Sequence, residues 1–252
     1  MTQYSFLFGI YFLCSIKESM SGKHYNLCIT GPIGVGKSTM LNSLKQFFSN
    51  YNIQDLPEYL GIDIKHGQTM LERKINGELS NLTFQNYVID MYKMKLKELS
   101  DDFDIRLCER IPEDSVYCFS NLSNFDGELS DFELYVLKER FDKLKNQYNL
   151  PSYGDKQTEF AIVDACDFIE SFGKIVKIVT DDLEQGITKR VIGLTAPFNV
   201  VYERIVKRAR NGEEKYDKAW LKTITDFYDK LYYYIENDRN RLNRFTCVGM
   251  LI

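Results

Sequence analysis

The apolar positions of this chain switch between two periods. Tyr25-Asn26-Leu27-Cys28-Ile29-Thr30 is a short apolar-rich run bounded by glycine, as a buried strand should be. Leu41, Leu44, Phe47 and Phe48 then recur at helical spacing and predict a helix over 37–49. A short strand at 53–57 ends in Pro57-Glu58. A long amphipathic helix over 83–99 leads to a third strand at 104–108, and helices follow near 113–122 and 131–146. Val191-Ile192-Gly193-Leu194-Thr195 reads as a fourth strand ending at Pro197, followed by a helix to Arg210. A last helix covers about 217–238, and 245–251 reads as a fifth strand. Strands alternating with helices imply a doubly wound parallel sheet of five strands flanked by helices, with ligand at the strand carboxyl ends. Between 147 and 189 the pattern is ambiguous: Pro151-Ser152-Tyr153-Gly154 marks a turn, and the remaining apolar stretches suit strand or helix alike.

The first strand-to-helix junction carries the most specific chemistry. Gly31-Pro32-Ile33-Gly34-Val35-Gly36-Lys37-Ser38 fills every fixed position of the G-x-x-x-x-G-K-[ST] phosphate-binding loop, with Thr39 next. Glycines let backbone N–H groups turn inward around phosphate oxygens. Lys37 can reach the β- and γ-phosphates, and the Ser38 hydroxyl can ligate Mg²⁺. The helix N-terminus adds positive potential at the same point. A chance glycine-rich turn would not need a strand before it and a helix after it. The junction implies binding of a nucleoside triphosphate.

Composition narrows the class without naming a substrate. The 252 residues suffice for one large α/β domain, and 44% apolar with 27% charged residues is ordinary for a globular protein. A net charge of −4 gives no case for nucleic acid as partner. The six cysteines, Cys14, Cys28, Cys108, Cys118, Cys166 and Cys247, include no C-x-x-C pair. That usage suggests a reducing, cytoplasmic setting and no metal cluster. The apolar run from Tyr4 to Ile16 is shorter than the roughly 20 residues of a spanning helix, so no membrane partner is expected. Residues 1–20 are read as an N-terminal extension of unknown role, dispensable to the fold, with mitochondrial or other targeting left open. Residues 21–252 are read as a single domain.

Further motifs identify the acceptor. Pro57-Glu58, Phe84-Gln85, Glu109-Arg110 and the stretch from Arg204 to Glu214 follow the phosphate loop in order. Gly127-Glu128-Leu129-Ser130-Asp131 with Tyr135 stands between them. In these pieces the chain resembles the deoxynucleoside kinases, including deoxycytidine, deoxyguanosine, mitochondrial-type thymidine and herpesvirus thymidine kinases. The resemblance covers about 27–145 and 190–235. It implies a P-loop kinase fold with a helical lid, homodimerisation through the helices between about 83 and 145, and ATP with Mg²⁺ as donor.

The resemblance also implies roles. Glu58 takes the proton of the nucleoside 5′-hydroxyl; Glu109 stands on the Mg²⁺ side with Ser38; Arg110 meets the 5′-oxygen and the transferred phosphoryl. Gln85 reads the base edge, for which an amide offers both a donor and an acceptor. Phe119 flanks the base. Arg204, Arg208 and Arg210 form a lid clamp on phosphate, and Glu213 or Glu214 contacts the sugar 3′-hydroxyl. Ser115 and Tyr92 stand where deoxycytidine kinases carry an aspartate and an arginine. Lacking both charged readers, the pocket is expected to favour thymidine or a broader set of pyrimidine deoxynucleosides.

The chain departs from the family pattern in places. The sugar-holding tyrosine expected near 70–73 is replaced by Met70-Leu71-Glu72-Arg73, and Ile111-Pro112 replaces a serine-containing continuation. Residues 147–189 read as an insertion relative to the compact cellular enzymes. Two rivals follow: a thymidylate kinase, which would need cations for the acceptor's monophosphate, and a kinase-like accessory subunit without catalysis. Retention of Lys37, Ser38, Glu58 and Arg110 argues against the second.

Overall fold

The computed structural model describes residues 24–209, 213 and 216–237. Strand β1 (Tyr25–Thr30) runs into the phosphate loop and helix α1 (Lys37–Phe47). Strand β2 (Ile53–Leu56) is followed by a single turn, α2 (Tyr59–Ile62), then α3 (Ile64–Ile75) and α4 (Asn81–Glu98). Strand β3 (Ile105–Glu109) leads through a π-helical stretch (Ser115–Ser120) to α5 (Asn121–Phe125) and α6 (Asp131–Tyr148). Strand β4 (Glu159–Asp164), α7 (Phe168–Gln185), β5 (Lys189–Thr195), α8 (Phe198–Arg208) and α9 (Lys218–Asn237) complete the order.

The strands form one sheet in the order β2-β3-β1-β5-β4, every pairing parallel. All six residues of β1 are buried, because helices cover both faces of a parallel sheet. Its side chains alternate between two apolar layers. Tyr25, Leu27 and Ile29 pack with Met40, Leu44, Ile175 and Val179 of α1 and α7. Cys28 faces the other way, toward Val88, Leu137, Tyr228 and Leu231 of α4, α6 and α9. The doubly wound parallel sheet of the sequence reading is therefore present.

The largest departure from the expected layout lies in 147–189. This segment supplies β4 and α7, so the strand expected as the fourth is the fifth in chain order. β4 pairs with β5 from Glu159↔Arg190 to Asp164↔Thr195 and closes that edge of the sheet. Its apolar core, Phe160-Ala161-Ile162-Val163, is too short for periodicity to separate strand from helix. The strand expected at 245–251 and the extension at 1–20 lie outside the described residues.

One tetrapeptide does the same work twice. Gly-Glu-Leu-Ser occurs at 77–80 and again at 127–130. Gly77 and Gly127 both adopt φ 75° just past a helix end, a conformation costly for other residues. The serine then caps the next helix: Ser80 accepts from the Thr83 N–H, and Ser130 forms a reciprocal capping box with Glu133. These two punctuations start α4 and α6, which pack against each other on one face of the sheet.

Candidate active site

A cavity of about 980 Å³ opens at the carboxyl ends of the strands, lined by the phosphate loop, Glu58, Gln85, Glu109, Arg110, Ser115, Phe119, Arg204, Arg208 and Glu213. Ligand pockets run to roughly 300–1,000 Å³, so this one stands at the large end of that range. It sits where an open α/β sheet binds ligand.

The phosphate loop is shaped by glycines that nothing else could replace. Gly31 adopts φ 142°, and a Cβ there would stand 2.7 Å from the Leu194 carbonyl oxygen. Backbone on a neighbouring strand cannot move aside cheaply. Gly31→Ala is therefore expected to cost about 1–3 kcal/mol of stability and to impair triphosphate binding; thermal unfolding with and without ATP checks both.

Lys37 is buried and folds back on its own loop, donating from Nζ to the carbonyls of Gly31 at 3.1 Å and Pro32 at 2.9 Å. Burial pulls its pKa from 10.5 to about 7, with Arg110 adding to the fall while Glu58, Glu109 and Asp114 oppose it. The sign for binding follows. A triphosphate prefers the ammonium, so ATP affinity of the free protein should weaken as pH rises through 7. Between about 7 and 10.5 the unfolded chain holds this proton and the folded one does not, so Lys37's own contribution to stability rises with pH there. ATP titrations from pH 6 to 8.5 should show the decline in the wild type and a flatter profile in Lys37→Met.

Ser38 and Glu109 meet across the loop: Ser38 Oγ donates to Glu109 Oε1 at 2.8 Å. Two hard oxygens beside incoming phosphates match Mg²⁺, which keeps several waters and takes few protein ligands. Among the described residues no cluster of three or more His, Cys, Asp or Glu could hold a metal.

Glu58 follows β2 by two residues and stands at the N-cap position of α2, with its side chain making no capping bond. Its Oε1 lies 3.2 Å from Arg110 Nε, an ion-pair contact without hydrogen-bond alignment. Arg110 is buried and adopts φ 63°, a left-handed backbone that non-glycine residues rarely enter. Its surroundings hold it there. The Arg110 N–H donates to Ile29 O at 3.0 Å, and Nη1 donates to Gly31 O at 3.0 Å and the Tyr228 hydroxyl at 2.5 Å. The guanidinium also lies 5.2 Å from the centre of the Phe119 ring. Arg110 thus ties Glu58 and Phe119 to the first residue of the phosphate loop.

Gln85, on α4, is buried with its Oε1 lacking any hydrogen-bond partner. An orphaned buried carbonyl is costly unless a ligand completes it. Phe84, Val88, Tyr92, Ser115 and Phe119 line the same cavity, and none of them is charged. Tyr92 turns its hydroxyl to the Glu109 carbonyl at 3.2 Å.

Arg204 and Arg208 of the expected lid clamp are held here by groups of the protein itself. Arg204 donates to the carbonyls of Val35 at 2.9 Å, Ala165 at 2.8 Å and Cys166 at 3.3 Å, bracing the loop against the β4–α7 connection. Arg208 forms a two-pronged pair with Glu213, Nε to Oε2 at 3.1 Å and Nη2 to Oε1. That pair must open before Arg208 can meet phosphate or Glu213 a sugar. Arg210 and Glu214 lie outside the described residues.

No sequence motif signals the layer beneath. Asp114, fully buried, accepts from Thr30 Oγ1 and from Tyr153 Oη at 2.6 Å. Burial pushes its pKa up, opposed by Arg110, Thr30 and Tyr153. Glu113 accepts from Ser152 Oγ at 2.5 Å and Tyr153 N at 2.8 Å. Two consecutive carboxylates thus fasten the 152–153 turn under the end of β1. Only the spatial meeting of β1, the π-helical stretch and that turn reveals the cluster.

Comparison with known proteins agrees with this geometry. A sequence model of the deoxynucleoside kinase family matches residues 27–153, just over half of the 252 residues. No curated protein matches the chain in sequence. Among solved structures, the deoxyadenosine kinase from M. mycoides with bound dATP is similar, with a TM-score of 0.54 and 14% identity over 85% of this chain and 87% of that one. At that identity the likeness speaks for the fold alone, a P-loop kinase sheet flanked by helices. The matched span holds the phosphate loop, Glu58, Gln85, Glu109, Arg110, Ser115 and Phe119, and by it the chain belongs to the deoxynucleoside kinase family.

Proposed function

We propose that this protein transfers the γ-phosphoryl of ATP to the 5′-hydroxyl of a pyrimidine deoxynucleoside, with thymidine preferred. The observation that carries the base assignment is Gln85: an unpartnered buried Oε1 in the cavity that also holds Glu58 and the phosphate loop. Its amide can accept from N3–H of thymine and donate to O4. Ser115 leaves room beside it, and Phe119 offers an aromatic face.

Glu58 would orient the 5′-hydroxyl and accept its proton, while Arg110 balances that carboxylate before transfer and the developing charge during it. Lys37 would give up the Gly31 and Pro32 carbonyls for phosphate oxygens. Ser38 and Glu109 would hold Mg²⁺, which neutralises charge on the transferring phosphates. Opening of the Arg208–Glu213 pair would free a guanidinium for the phosphoryl group and a carboxylate for the sugar, with Arg210 and Arg204 contributing to the lid. Closure then keeps water from the phosphoryl group.

The thymidylate reading needs a free cation for the acceptor's phosphate. Of the lining cations supplied by the segments between β2 and α5, Lys74 stands 3.7 Å from Glu128, and Arg110 is paired with Glu58. A neutral 5′-hydroxyl suits that arrangement better. Homodimerisation is part of the proposal: Met94, Phe125, Phe132 and Tyr135 are exposed on the helices between 83 and 145. Steady-state assays with MgATP against the four deoxynucleosides and thymidine monophosphate test the substrate. Thymidine should show the highest kcat/KM; a purine deoxynucleoside in first place, or turnover of the monophosphate alone, contradicts the assignment.

A further inference from the structure

Three consecutive residues at the end of β1 seat two cations of the site. The Ile29 carbonyl accepts the Arg110 N–H at 3.0 Å. The Gly31 carbonyl accepts both Arg110 Nη1 at 3.0 Å and Lys37 Nζ at 3.1 Å. A shift of that one carbonyl would move the phosphate-loop lysine and the guanidinium beside Glu58 together. Thr30 lies between them, fully buried, in register with Gly193 of β5.

What holds the Thr30 side chain comes from Arg110's own segment. Asp114, four residues on, is fully buried and accepts the Thr30 hydroxyl at Oδ2. Its other oxygen accepts the Tyr153 hydroxyl at 2.6 Å, and Tyr153 Oη lies 3.2 Å from Thr30 Oγ1. Arg110 and Asp114 thus grip residues 29–31 through main chain and side chain at once. A carboxylate is costly to bury, so its presence here needs a reason. Anchoring the 152–153 turn is not enough, because Glu113 already fastens it through Ser152 Oγ and Tyr153 N. The contact that Glu113 does not share is the one with β1.

We propose that Asp114 is a positioning residue for phosphoryl transfer: by fixing Thr30 it sets the Gly31 carbonyl on which Lys37 and Arg110 are both keyed. The proposal rests on the reading of this cavity as a phosphoryl-transfer site. Thr30→Val keeps the shape of the side chain and removes the hydroxyl, whereas Thr30→Ser keeps the hydroxyl. Small misplacements of reacting groups support a 10- to 100-fold fall, roughly, in the single-turnover rate of Thr30→Val with MgATP and the preferred deoxynucleoside. Measured well below the melting temperature, KM for both substrates should stay within threefold of wild type. Thr30→Ser should keep its rate within threefold. Glu113→Gln should do the same while melting at a lower temperature. Asp114→Ala should match Thr30→Val, and the Thr30 pair decides alone where that variant does not fold. A Thr30→Val loss below about fivefold or confined to KM, or an equal loss in Thr30→Ser or Glu113→Gln, overturns the proposal. A wild type that phosphorylates none of the four deoxynucleosides overturns the reading of the site, and this proposal with it.

Discussion

Glu58→Gln is expected to lower kcat with thymidine by about 10²–10⁴-fold while leaving the KM for ATP within a few-fold of wild type. The amide keeps the shape of the carboxylate but cannot accept the hydroxyl proton. Arg110, 3.2 Å away, loses its counter-charge without losing its bonds to Gly31 and Tyr228, so the fold should persist. Rapid-quench measurement of the first turnover separates chemistry from product release. Unchanged kcat with a raised thymidine KM would reduce Glu58 to a binding group.

Arg110→Lys should be comparably damaging for a different reason. The charge is retained, so a purely electrostatic role would survive. One guanidinium here spans the Gly31 carbonyl, the Tyr228 hydroxyl and the Glu58 carboxylate, a planar fork that an ammonium on a flexible stem cannot reproduce. A fall in kcat of about 10²–10³-fold is expected, together with a lower melting temperature. Tyr228→Phe, which removes one partner and leaves the fork, should cost far less. Equal kcat losses in the two variants would mean that the tyrosine, rather than the guanidinium, organises the site.

The sequence made the phosphate loop, β1, α1, α4 and β3 legible because each carries a strong local signal: a fixed motif, a buried run or a long helical period. Glu58, Gln85, Glu109 and Arg110 were identified by family resemblance, and they do converge on one cavity. The lid showed its residues but not their partners, since sequence cannot reveal that Arg208 and Glu213 would satisfy each other across a short loop. Only Gly67 and Leu71 of the twelve residues of α3 are buried, with Met70 and Ile75 packed beside the core, so its apolar signal in the sequence is thin. β4 escaped as an edge strand with four apolar residues. The Thr30–Asp114–Tyr153 cluster joins residues over 120 positions apart, a meeting set by sheet topology alone.

The central claim is phosphoryl transfer to a nucleoside hydroxyl. Its most direct test is to incubate the protein with MgATP and thymidine and identify the phosphorylated product by ³¹P NMR and mass. The account predicts ADP and thymidine 5′-monophosphate in equal amounts, with no hydrolysis beyond that stoichiometry. ATP binding without a phosphorylated deoxynucleoside, for any of the four bases, would contradict it.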